Sequence, residues 1–144
     1  VGGEFGFTAE RLAMSNSTTA LIVGDSDQAE AAAHQALALL GRRTPDAQSA
    51  HVRGGASADL AMARLLADDV EGAAEALAPV WEIPSDQRMT GIVVRTARVH
   101  RHLSRPAYHG AQLAGQIRER IEDFNRVSPP HQIGPHVGLL ALEA

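Results

Sequence analysis

Seven histidines, a run of small hydroxyl side chains and a band of arginines are the residues in this chain with chemistry beyond packing. There is no cysteine, which removes disulfides, thiolate catalysis and cysteine zinc sites. His100 and His102 stand two positions apart. On a helix such a pair points about 200° apart and does not converge on one ion. His109, His131 and His136 fall in expected turns or in the tail, with no carboxylate at ligand spacing. No metal is expected, and the interest of these histidines is as groups that titrate near neutral pH. No nucleophile elbow, phosphate loop, dinucleotide fingerprint or zincin pattern occurs. Neither catalysis nor a cofactor is expected, and the chain reads as one that binds.

Two polar features could do the binding. Ser15, Asn16, Ser17, Thr18 and Thr19 are five small polar residues in a row. On a concave surface they could hydrogen-bond a peptide backbone or a small ligand. The reading favoured here is plainer: small residues allow tight helix packing, with hydroxyls bonding back to carbonyls one turn earlier. The second feature is Arg95, Arg98, Arg101 and Arg105 with His102. Phosphate contacts by such a face would bind DNA with a marked salt dependence. Aromatic interleaving is almost absent, with one Tyr and one Trp in the chain. A solvated face paired with acidic turns is therefore favoured.

Helices must position these groups. Alanine is abundant and aromatic residues are 3%, which favours helix over strand. Thr8 is expected to cap a first helix running to Val23, with Leu12, Asn16, Thr19 or Ala20, and Val23 on its inner face. Gly24 ends it in a left-handed cap, and Asp25 caps the second helix, Ser26 to Leu40, with Gln28 placed to reach back. That helix packs through Ala29, Ala33, Ala36 or Leu37, and Leu40, with Arg42 and Arg43 after it, where a helix dipole favours cations. Thr44-Pro45 starts the third helix, which runs to Ala67 with Gly54-Gly55 inside it as a kink or a point of close backbone approach. Its stripe is Ser57, Leu60, Ala61 and Leu65. The fourth covers Val70 to Trp81. Pro84-Ser85-Asp86 starts the fifth, with Met89, Ile92, Thr96, Val99 and Leu103 packed and Arg95, Arg98, His102 and Arg105 on another face. The sixth begins near Gly110 and shows Leu113, Ile117, Ile121 and Phe124 at helical spacing. Residues 1–7 read as a linker, with Phe5 and Phe7 as lids, and residues 127–144 as a Pro/Gly-containing tail.

The acidic turn after the first helix has a degraded copy, Asp68-Asp69-Val70-Glu71-Gly72-Ala73, with Ala29 and Ala73 44 residues apart. Helix, tight turn, helix, and then the same again is the pattern of a hairpin repeat. The fold class expected is all-α, a stack of about three hairpins over residues 8–126. The first hairpin resembles a tetratricopeptide repeat through Gly24-Asp25, Ala29 and Ala36. The second keeps Ala73 but has Asp68 in place of the glycine and Val80 in place of the second alanine, and its offset exceeds the usual ~34 residues.

More specifically, G-G-E-F-G-F-T-A-E-R-L-A, L-I-V-G-D-S-D-Q-A-E and E-A-L-A-P-V-W-E-I-P-S-D-Q-R resemble the C-terminal region of actinobacterial helix-turn-helix transcriptional regulators. The resemblance implies a sensory or dimerisation domain, with DNA read only by a domain preceding Val1. By repeat register, Arg11, Met14 and Thr18, with Ala58 and Met62 and then Arg95, would face the groove. The partners implied are a second copy, a protein or peptide, or a small effector. The alternatives are a free-standing adaptor bridging proteins and an arginine-face nucleic-acid binder.

Charge supports a division within the domain. All thirteen basic residues are Arg, and eight of them lie between Arg88 and Arg126. The net charge is −4, so the earlier part is acidic. The longest apolar runs fall far below the ~18–20 residues of a membrane span. A soluble, cytoplasmic protein is expected, and a start at Val1 reads as a fragment or a processed chain.

Overall fold

The structure, a computed structural model, describes residues 8–129. The expected linker 1–7, with its Phe5 and Phe7 lids, and most of the expected tail lie outside the described residues. Six α-helices and no strand occur among those described: α1 (Ala9–Ile22), α2 (Ser26–Gly41), α3 (Ala50–Leu66), α4 (Val70–Trp81), α5 (Thr90–Leu103) and α6 (Gln112–Arg126). They pair as three hairpins, and α3 packs against α1, α2, α4 and α5. The fold is an all-α hairpin stack. No described helix is long and apolar enough to cross a membrane.

The first two hairpins turn by the same device. Gly24 (φ +79°) and Asp68 (φ +59°) both take the left-handed conformation. Asp25 and Asp69 then cap the next helix, accepting from Gln28 N at 3.1 Å and Gly72 N at 2.8 Å. Each cap meets one of the four unpaired N–H groups at a helix start. In the third hairpin Gly110 (φ +86°) turns the chain, but Ala111 at the N-cap offers no side-chain bond.

Two helix starts differ from expectation. Thr44-Pro45 opens a separate 3₁₀ turn, Pro45–Ala47, and α3 begins only at Ala50 behind a second cap, Ser49, which accepts from Val52 N at 3.2 Å. Likewise the Pro84 signal opens the 3₁₀ turn Ser85–Gln87, and α5 begins at Thr90. A third such turn, Pro106–Tyr108, lies between α5 and α6. Proline pre-sets φ for one tight turn and does not require the helix to continue.

The core divides by residue size. Hairpins two and three share Leu65, Leu77, Val80, Ile92, Leu103 and Ile121, all buried. Trp81 and Phe124 meet edge to face there, with centroids 5.6 Å apart. Hairpin one closes over small side chains instead, with Ala29, Ala33 and Ala36 fully buried. The expected stripe of α1 holds only at Ala20: Leu12 and Val23 are exposed (57% and 74%), as are Asn16 and Thr19, and Ala13, Met14, Ser17 and Ala20 are buried. Small residues dominate that inner face, with Met14 the one large side chain, packed against Ala36, Leu40 and Val52. In α5, Met89 is also exposed, and the rest of its stripe is buried. Gly54 and Gly55 sit within continuous helix, and they admit side chains of neighbouring elements.

At the open end of hairpin one, Glu10 is buried and receives Arg43 through Nε at 2.6 Å and Nη2 at 3.0 Å. This fork ties the start of α1 to the end of α2. It holds the Glu10 carboxyl at about 2, well below its ordinary 4.5.

Candidate functional site

The first helices of the three hairpins, α1, α3 and α5, lie side by side with α3 in the middle. A polar bridge crosses all three. Asp59 of α3 is 2% exposed. It accepts from Ser17 Oγ and Thr18 Oγ1 of α1, each at 2.7 Å. Arg95 of α5 places Nε 3.4 Å from Asp59 Oδ1, an ion pair outside hydrogen-bond geometry. The same guanidinium donates from Nη2 to Thr18 Oγ1 at 3.0 Å and from Nη1 to the Gly91 carbonyl at 3.1 Å. Burying two charges costs several kcal/mol of hydration, so this pair adds little net stability while complete. It joins one face of each of the three helices through a single carboxylate.

Glycines make room for it. A Cβ on Gly55 would stand 2.6 Å from Met14 Sδ, and one on Gly91 would stand 2.7 Å from His51 Cε1 and 3.1 Å from Arg95 Nη1. His51 is half-buried, and burial, then the charges of Arg95 and Arg11, push its pKa down.

Towards the other end the face opens into a cleft of about 530 Å³, lined by Leu21, Ile22, Met62, Leu66, Arg98, Arg101, His102 and Arg105. That volume falls in the ~300–1,000 Å³ range of small-molecule sites. His102 is buried, its Nε2 is 3.3 Å from the Tyr108 hydroxyl, and its Nδ1 has no partner. Burial lowers its pKa; the Arg105 charge adds to this and the Asp68 charge opposes it.

The six residues expected to face a groove do not form one surface. Met62 lines the cleft. Thr18 and Arg95 are joined in the polar bridge, so they position helices more than they offer free donors. Arg11 is exposed and stands near enough to His51 to act on it. Met14 and Ala58 are buried (3% and 1%) and present almost no surface to a ligand. The packing reading of the hydroxyl run holds for Thr19, Ser17 and Thr18, which bond back to the Ser15 and Met14 carbonyls; Ser17 and Thr18 also reach Asp59 of α3.

Asp59, His51 and, apart from Met62, the cleft floor are not marked in the sequence. Asp59 is a lone acid inside α3, and its partners lie 41 and 42 residues before it on another helix. No local spacing marks such a residue. The arginine face was legible, and Arg98, His102 and Arg105 do share one wall of the cleft.

A second open cleft, about 620 Å³, lies between α5 and α6 and holds Ser104, His100 and Glu122. His100 Nε2 is 2.8 Å from Glu122. Ser104 Oγ donates to the His100 carbonyl at 2.8 Å and lies 3.4 Å from His100 Nδ1, longer than the ~2.6–3.2 Å of a nucleophile–base hydrogen bond. Among the described residues no three His, Cys, Asp or Glu side chains converge as metal ligands. No family profile, no curated protein and no solved structure matches this chain.

Proposed function

We propose that this chain is the non-catalytic sensory and dimerisation domain of a bacterial transcriptional regulator, built from tetratricopeptide-type hairpins. The α1–α3–α5 face takes an effector, and its occupancy biases the spacing of attached DNA-reading domains. The observation that carries the sensory half is the cleft, in which an apolar floor from α1 and α3 faces a cationic wall from α5. An occupant would touch all three hairpins' first helices and so couple their relative positions. The regulator context is supported by the sequence resemblance.

Dimerisation has separate support. Leu12 of α1 and Val23, the residue that caps its C-terminus, are eleven residues or about three helical turns apart, and both are exposed. The reading of the arginines as a DNA contact is weakened because Arg95 is committed to Asp59.

Sedimentation of the chain and the reading frame upstream of Val1 test the proposal together. The expected results are a dimer, lost in Leu12→Glu/Val23→Glu, and an upstream segment of roughly 60 or more residues containing two short helices joined by a tight turn. A frame that starts within a few residues of Val1 would remove the DNA-reading arm and leave an adaptor. A monomer at about 100 µM, a concentration far above ordinary dimer dissociation constants, would remove dimerisation.

A further inference from the structure

The cleft has two unlike halves. Leu21, Ile22, Met62 and Leu66 supply an apolar floor, and Arg98, Arg101, His102 and Arg105 supply the opposite wall. No carboxylate lines it among the described residues. Neither Arg101 nor Arg105 has a carboxylate partner among those residues either. The acid whose charge reaches His102 is Asp68, on the turn after α3.

A buried ring nitrogen is also left over. His102 is 7% exposed, and its Nδ1 has no partner although its Nε2 faces the Tyr108 hydroxyl at 3.3 Å. When Tyr108 donates to Nε2, the ring proton sits on Nδ1 and requires an acceptor. Native interiors rarely leave such a group unmet.

We infer that this cleft binds a small amphipathic carboxylate, its acyl chain over Leu21, Ile22, Met62 and Leu66 and its carboxylate against Arg101 and Arg105. An apolar floor and forked donors are together what such a molecule needs and what a cation or a plain sugar does not. At about 30 Å³ per heavy atom, a ten-carbon acid fills about two-thirds of the cleft. The assignment rests on the reading of the α1–α3–α5 face as an effector surface and names the class of effector.

Decanoate is the probe, titrated into the whole 144-residue chain by calorimetry, with methyl signals of Leu21, Ile22, Met62 and Leu66 followed by NMR. Saturable binding that moves those four methyl groups is expected. Decyltrimethylammonium, with the same chain and opposite charge, should bind at least about tenfold more weakly, as should acetate, which lacks the chain. Arg101→Gln/Arg105→Gln alters exposed side chains and should weaken decanoate about tenfold or more with an unchanged thermal melt. Equal binding of the cation, unaltered affinity in that variant, or shifts centred on Ile121 in the other cleft would overturn the assignment. So would displacement of decanoate by a short apolar peptide that binds more tightly. The two proposals fail separately. Loss of decanoate binding leaves an upstream DNA-reading domain untouched, and absence of that domain leaves decanoate binding untouched.

Discussion

Asp59 shows how one residue can matter more to specificity than to net stability. Its carboxylate, buried in α3, is met by Ser17, Thr18 and Arg95 from two other helices. Removing it alone strands a largely buried guanidinium, so Asp59→Leu should cost about 3–5 kcal/mol in urea unfolding. Replacing both partners, Asp59→Leu/Arg95→Met, should recover most of that, because an apolar pair of similar volume avoids the desolvation cost. A double variant no better than the single one would mean the bridge itself holds the helices. Glu10 contributes differently. Its folded pKa of about 2 lies below its ordinary 4.5, so the folded state favours the charged form. The contribution is complete above pH 4.5 and is lost as pH falls from there towards 2. Glu10→Gln should therefore flatten stability over that acid window and cost about 1–2 kcal/mol at neutral pH, less than a fully buried pair because Arg43 is 44% exposed. Urea midpoints of both proteins between pH 2 and 7 would check the sign and the window; parallel curves would place the acid sensitivity elsewhere.

Elements differ in how clearly the sequence announces them, and side-chain size is the reason. The stripes of α2, α3 and α6 use Leu, Ile or regularly spaced Ala, and period counting finds them. On α1 the larger apolar residues face out, and the inner face is Ala13, Met14, Ser17 and Ala20. Counting hydrophobicity there selects the wrong side. The starts of α3 and α5 were read early because each proline announced a 3₁₀ turn, with the true helix beginning some residues later. Glycines in helices and turns make opposite predictions. A Cβ at Gly54 would stand 2.5 Å from Ile83 Cδ1 and 2.9 Å from Ile92 Cδ1, both on buried residues. Gly54→Ala gains about 1 kcal/mol of helix propensity and loses about 1–3 to overpacking, so it should destabilise by about 1 kcal/mol on balance. Asp68, exposed at φ +59°, should gain from the reverse change. Asp68→Gly relieves about 1 kcal/mol of left-handed strain against about 0.5 of added unfolded-state entropy. Its midpoint should rise by about 1–3 °C, and a fall would show that the Asp68 carboxylate is needed in the turn.

At the scale of the whole molecule, the hairpins are not equivalent. α3 packs against four helices, whereas α6 packs mainly against α4 and α5 and begins without a side-chain cap. Stacked repeats gain much of their stability from neighbour interfaces, so the end with fewer neighbours opens first. Hairpin three is nonetheless well anchored: Arg88 donates to the Phe124 carbonyl at 3.2 Å with its guanidinium 4.0 Å above the Phe124 ring, and Arg118 donates to the Leu103 carbonyl at 2.6 Å. These contacts tie α6 to the two ends of α5 and oppose fraying. Native-state hydrogen exchange should therefore give the slowest amides in α3, from Leu60 to Leu65, and faster exchange throughout α6 as one unit. Truncating Ile121 to Ala removes a fully packed side chain, about 2–5 kcal/mol, and should speed α6 far more than α3. Equal acceleration in both helices would mean that the stack unfolds all at once. In that case an occupant of the cleft could act only on global stability. Unequal acceleration would leave the outer hairpins free to respond to what bridges α1, α3 and α5.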